Sequence, residues 1–249
     1  MGSLLQHILS SKKTKNKLLA VLIDPEKFNK EIVLLAQKSR PDFIFLGGST
    51  VTKRQFNSAV RFINKNCSVP LVIFPGDEKQ ISNEASAFLL LSLLSGRNPE
   101  FLIGKQVKSA MTLKKSGLEI ISTAYILLDE RQKSSVSRVT GTRGISQKKI
   151  KEILSTALAG EQLGFQCVYL EAGSGVIQKV SEKIIHDTSQ LLKIPLIVGG
   201  GINSEEKAVL SWRSGADIVV VGNAIEKNPE LMNYFCKARN KLNNISARK

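Results

Sequence analysis

Eight short, almost wholly apolar runs, helical patterns between most of them, and glycine motifs closing the last two runs together predict a single (β/α)8 barrel over residues 1–249. The runs are Leu18–Ile23, Phe43–Leu46, Leu71–Phe74, Ala87–Leu93, Leu118–Leu128, Cys167–Leu170, Leu196–Val198 and Ile218–Val221. Such continuous apolar character is what a parallel sheet covered on both faces requires. Helical patterns read as Phe28–Ser39, Thr52–Asn66, Ser146–Leu163, Lys179–Leu192, Ser204–Ser214 and Pro229–Asn243, with Ser146 and Ser204 placed as N-caps. Strand–helix alternation argues for parallel α/β architecture. Eight units ending in a phosphate-type motif favour the closed barrel over an open sheet.

The third unit is irregular. Only a dozen residues, Pro75 to Ser86, separate the third and fourth runs, and Pro75-Gly76 breaks their start. A crossover helix with both its loops needs at least that length. The third outer helix is therefore expected to be missing or reduced. Either a short helix packs there, or a groove exposes apolar barrel wall and suits a long hydrocarbon ligand.

The chain of 249 residues has the usual size of one such barrel, and 42% hydrophobic with 23% charged residues is a globular composition. No apolar run is long enough to cross a membrane, and the lysine-rich start through Lys17 lacks a secretory pattern. Cys67, Cys167 and Cys236 are odd in number and far apart, which suits buried thiols in a reducing cytoplasm rather than disulfides or zinc. The net charge of +15 is compatible with nucleic acid, an anionic membrane surface or an anionic substrate. Aromatic content of 6% without a stacking pattern argues against nucleic acid.

Chemistry concentrates at the strand ends. The first strand ends at Asp24-Pro25-Glu26: Asp24 is either a Mg2+ ligand or an N-cap, and Glu26 a first-turn residue. The second ends at Gly47-Gly48-Ser49-Thr50, where glycines admit an anion and Ser49 or Thr50 offers a hydroxyl; helix capping is the alternative. Tyr125, in the fifth, either lines a pocket or belongs to the core, ahead of a basic loop through Arg138 and Arg143. The sixth ends at Tyr169-Leu170-Glu171-Ala172-Gly173-Ser174-Gly175. There Glu171 is the best candidate general base, and Ser174 with the backbone of Gly173 and Gly175 can bond a phosphate. The last two strands close with Val198-Gly199-Gly200-Gly201-Ile202 and Val221-Gly222-Asn223-Ala224-Ile225, the loops that form phosphate sites in such barrels. His7 and His186 lie in polar helical contexts, so imidazole chemistry is not indicated.

These motifs, in this order, resemble the geranylgeranylglyceryl phosphate synthase family, which includes the bacterial heptaprenylglyceryl phosphate synthases. The matching stretches are Leu22-Ile-Asp24-Pro-Glu-Lys27, Gly47-Gly-Ser-Thr50, Phe74-Pro-Gly76 with Gln80-Ile-Ser82, Leu93-Leu-Ser-Gly-Arg97-Asn-Pro99, Thr123-Ala-Tyr-Ile126, Tyr169 to Gly175 and both C-terminal glycine motifs. The resemblance implies a barrel that joins sn-glycerol 1-phosphate to a polyprenyl diphosphate with Mg2+, the prenyl chain lying where the third helix is lacking. It implies Asp24 and Ser49 as metal positions. It implies Tyr169, Leu170, Glu171, Ala172, Gly173, Ser174, Gly175, Gly200, Gly201, Gly222 and Asn223 as the glycerol phosphate site, and a homo-oligomer, dimer or hexamer. Release of a lipid product adds peripheral membrane contact to the expectations. Leu22 and Ile23 stand where the bacterial short forms carry a lysine before Asp-Pro, which favours the geranylgeranyl branch over the heptaprenyl one. Competing classes are a phosphosugar isomerase or flavin oxidoreductase on the same barrel, and a non-catalytic lipid- or RNA-binding protein.

Overall fold

The computed structural model describes residues 3–48, 50–128, 134–173 and 178–246. Eight parallel strands pair in sequence order and close on themselves: β1 (Leu18–Ile23), β2 (Phe43–Leu46), β3 (Leu71–Ile73), β4 (Ala87–Leu93), β5 (Glu119–Leu127), β6 (Cys167–Glu171), β7 (Leu196–Gly199) and β8 (Ile218–Val221). Closure is made by β1 against β8, from Leu18↔Ile218 to Val21↔Val221. The strands agree with the sequence expectation to within two residues at each end. Helices α2 (Lys30–Ser39), α3 (Lys53–Asn66), α6 (Ile150–Gln162), α7 (Glu182–Leu191), α8 (Glu205–Arg213) and α10 (Leu231–Ser246) form most of the outer ring. So does α4 (Lys105–Ser116), which follows a π turn at Glu100–Gly104.

The alternation of side chains along each strand builds two cores. Leu19, Val21 and Ile23 of β1, with Val168 and Leu170 of β6, face the helices. Leu18 and Ala20, with Cys167 and Tyr169, fill the barrel interior. The same period carries Glu171, two residues after Tyr169, to the inner side at the mouth. Beneath it an aromatic floor stacks Phe45, Phe74, Tyr125 and Tyr169, with ring centroids 5.1–6.2 Å apart.

Of the two expectations on helix starts, one holds and one is corrected. Ser204 caps α8, accepting from Lys207 N. Ser146 does not cap α6; it closes a turn, its carbonyl accepting from Lys149 N at 2.9 Å, and the helix starts one turn later at Ile150. The N-terminal segment, read only as polar, forms α1 (Leu4–Lys13), whose Ile8 enters the interior core at the base of the barrel. Short helices α5 (Ser135–Thr140) and α9 (Asn223–Lys227) were also not anticipated. All three cysteines are buried and free, and burial pushes the Cys167 thiol up to about 12.

Glu119, at the start of β5, ties α1 to the barrel. It accepts from Leu4 N at 2.7 Å, Leu5 N at 2.9 Å and the Ser3 hydroxyl. Burial works against its charge, but these donors outweigh it and hold the carboxyl below its ordinary 4.5. A carboxylate held low contributes stability that is present above the unfolded value and lost as pH falls through the folded one. Glu119→Gln is therefore expected to lower stability by about 1–2 kcal/mol at neutral pH. Thermal melts recorded as pH drops below 4.5 should converge for variant and wild type; parallel curves would remove Glu119 from this role.

The third unit has no helix at all: residues 74–86 run as turns. The barrel wall at β3 and β4 is left without an outer cover from its own crossover.

Candidate active site

A cavity of about 1020 Å3 opens at the C-terminal ends of the strands and extends along the gap beside β3. That is just above the roughly 300–1,000 Å3 usual for ligand sites. Its two ends differ in chemistry. The mouth carries Asp24, Glu171, Asn223 and Glu226 with Lys27, Gln147 and Lys148. The extension is walled by Phe88, Leu90, Leu91 and Leu93 from β4, and by Phe101 with one face of α4.

Glu171 is 7% exposed, and its Oε1 accepts from Gly173 N at 2.7 Å. The glycines of the next strand end make this carboxylate's place. A Cβ at Gly200 would lie 2.4 Å from Glu171 Oε1, and one at Gly199 would lie 2.2 Å from the Tyr169 hydroxyl. Gly173, Gly200 and Gly201 have φ of +105°, +82° and +69°, a region side chains rarely adopt. Burial, and then the nearby Glu171 carboxylate, push the Tyr125 and Tyr169 phenols well above their ordinary value. Both hydroxyls therefore stay protonated at neutral pH.

Asp24 follows β1 and meets the capping expectation. Its Oδ1 caps the turn Pro25–Lys27, accepting from Glu26 N at 3.0 Å, and its side chain lines the cavity. Gly48 makes room for it: a Cβ there would lie 2.4 Å from Asp24 Oδ1. Glu26 lies in that turn, and its Oε2 accepts from the Thr50 hydroxyl at 2.8 Å. Among the described residues no group of three or more His, Cys, Asp or Glu side chains comes together as a metal cage. The donor set fits Mg2+ of the kind held by one carboxylate and completed by substrate phosphate oxygens.

Asp24, Tyr125, Glu171, Ala172 and Asn223 thus share one cavity. Tyr125 is both pocket and core, at 4% exposure. The Tyr169 and Leu170 side chains are buried in the inner and outer cores, the Tyr169 hydroxyl lying next to Glu171. Gly173 and Gly200 shape the back of Glu171, Gly201 lies against the backbone of Gln178 and Lys179, and Gly222 lies against Leu22. Ser49, Ser174 and Gly175 lie outside the described residues. Of the basic loop, Arg138 of α5 lines the cavity. His7 and His186 are exposed, away from it.

Two groups were not singled out from the sequence, and a third, Gln80, was named only within a resembling stretch and given no role. Glu226 stands one helical turn after Asn223, a spacing from which it was findable. Burial pushes its carboxyl up, Lys27 at 3.6 Å pulls it back, and Asp24 adds to the rise. Lys105 of α4 bridges Asp77 at 3.2 Å and Glu78 at 3.1 Å across the gap. Burial opposes its charge, but the two carboxylates hold the ammonium above its ordinary value. Gln80, 3% exposed, bonds the backbone of Gly48 and Gly76.

The closed barrel, its glycine turns after β7 and β8 and its carboxylate mouth place the molecule among the phosphate-ligand (β/α)8 barrels that work at the C-terminal strand ends. More narrowly, the chain belongs to the PcrB family, whose model matches residues 11–239. The geranylgeranylglyceryl phosphate synthase of Zunongwangia profunda is 48% identical over 229 residues, 91% of this chain and 98% of that one. That of Pyrococcus horikoshii is 41% identical over 228 residues, 90% of this chain and 89% of that one. The crystal structure of (S)-3-O-geranylgeranylglyceryl phosphate synthase from Thermoplasma acidophilum, in complex with sn-glycerol-1-phosphate, matches with a TM-score of 0.91 at 33% identity. It covers 97% of this chain and 100% of its own.

Proposed function

We propose that the chain is a prenyltransferase, forming an ether bond between the C3 hydroxyl of sn-glycerol 1-phosphate and geranylgeranyl diphosphate and releasing diphosphate. The observation that carries this reading is one cavity with a carboxylate mouth and an apolar extension where the third helix is absent. Its relatives' activity supports the same reading.

The residues divide the work by position. The turns at Gly200-Gly201 and Gly222-Asn223, with Gly173, bind glycerol phosphate and fix its hydroxyl beside Glu171. Glu171 accepts the proton as the hydroxyl oxygen bonds to the allylic C1 and the C1–O bond to diphosphate breaks. Asp24, with Ser49, would hold Mg2+, which when bound neutralises charge on the departing diphosphate. The apolar wall of Phe88, Leu90, Leu91 and Phe101 takes the prenyl tail, each buried methylene contributing about 0.8 kcal/mol. Alignment of the two substrates at one mouth replaces a rare encounter with a set geometry.

The test is incubation with sn-glycerol 1-phosphate, Mg2+ and geranyl, farnesyl, geranylgeranyl or heptaprenyl diphosphate. The geranylgeranyl ether is expected to dominate; no ether from any of the four would overturn the assignment. Asp24→Asn should raise the Mg2+ concentration for half-maximal rate at least about tenfold, the loss that even outer-shell partners of metals produce. An unshifted Mg2+ titration removes Asp24 from the metal site.

A further inference from the structure

The loop that stands in place of the third outer helix holds one buried polar side chain, Gln80, to which the reaction above assigns nothing. Its Nε2 donates to Gly48 O at 2.6 Å. Its Oε1 accepts from Gly76 N at 3.2 Å and Gly48 N at 3.5 Å. A primary amide can serve a backbone acceptor and backbone donors at once; a carboxylate lacks the donor and an alkyl chain lacks both. Gly48 is the residue that abuts Asp24, and a Cβ on its neighbour Gly47 would lie 1.7 Å from Phe74 O, so this turn packs directly on the end of β3. A few residues before Gln80, the same loop is held from the other side. There Asp77 and Glu78 pair with Lys105 on the groove-lining face of α4.

We propose that Gln80 is a positioning residue that sets the register between the diphosphate end of the site and the prenyl groove. Through it the Gly47-Gly48 turn that seats Asp24 and the groove-lining residues 75–78 share one frame. The glycerol phosphate half, built by β6, β7 and β8 across the mouth, does not depend on it. A prenyl diphosphate bonds to both halves of that frame at once, so a shift of one against the other acts on this substrate alone. The proposal rests on the prenyltransferase reading for its kinetics, but not for its binding.

The test compares Gln80→Met, close in shape but without either hydrogen bond, and Gln80→Glu, which keeps the acceptor and loses the donor. KM for geranylgeranyl diphosphate should rise about tenfold or more, as small misplacements at a distance do. KM for sn-glycerol 1-phosphate should stay within about twofold, which a general loss of structure would not spare. Thermal stabilisation by inorganic diphosphate with Mg2+ should shrink in both variants, while that by sn-glycerol 1-phosphate persists. Should Gln80→Met fail to fold, Gln80→Glu is read by the same criteria. Two KM values that rise together, or neither rising, would overturn the proposal. If the wild type makes no ether product, the enzymatic reading fails and the diphosphate shift still decides the role of Gln80, an unchanged shift refuting it.

Discussion

Glu171→Gln should lower kcat by about 10²–10⁴-fold, the usual contribution of a positioned proton acceptor. The amide is the same size, and its oxygen can still accept from Gly173 N, so the turn that packs on it stays in place. Affinity for sn-glycerol 1-phosphate should therefore change little. Calorimetric titration of the variant, alongside steady-state rates, separates the two effects. Undiminished turnover takes the general-base role away from Glu171; loss of binding together with turnover makes it a structural support of the glycine turns.

Gly200→Ala should damage the same half of the site by the opposite route. The left-handed φ of +82° alone costs an alanine roughly 1–2 kcal/mol. The new Cβ would also lie 2.4 Å from Glu171 Oε1 and 2.8 Å from both Ala172 N and Gly173 N. Two of those three atoms are backbone and cannot rotate away, so the turn must shift. A displacement near 1 Å at a reacting group is enough for a loss of about 10² in kcat/KM. Gly117→Ala is the control: its φ is +70°, but nothing lies within 4 Å of the added carbon. Melting temperature should fall in both variants and kcat/KM for sn-glycerol 1-phosphate only in Gly200→Ala. Equal kinetics would mean that the Gly200 turn does not hold the substrate.

What could be read from the chain follows from the range of the forces involved. Strand positions were legible because a parallel strand buried on both faces leaves an unbroken apolar signature. The lack of a third outer helix was legible from loop length alone. The carboxylate mouth was legible because Asp24 and Glu171 each end an apolar run. Helix α1 was not, since Leu4, Leu5 and Ile8 lie among polar residues, and the groups that hold the helix, Glu119 against Leu4 and Leu5 and Phe43 against His7, are distant in sequence. The start of α6 was misplaced because a serine supports a turn as readily as a helix cap. The ties of Gln80 to Gly48 and of Lys105 to Asp77 and Glu78 join separate loops, so only the closed barrel brings them within reach.

The seams of the barrel are unequal. β4 and β5 run together over seven residue pairs, Ala87↔Glu119 to Leu93↔Tyr125, whereas β3 and β4 share only Val72↔Ala87 and Ile73↔Phe88. The β7–β8 seam is equally short, at Ile197↔Ile218 and Val198↔Val219, but α8 braces it, whereas β3–β4 has no crossover helix. Local opening follows the fewest cross-links. The least-braced part of the ring thus lies beside the apolar groove, while Asp24 and Glu171 stand on the helix-braced arc from β5 round to β2. Opening at that seam would widen the groove and leave the two carboxylates in place.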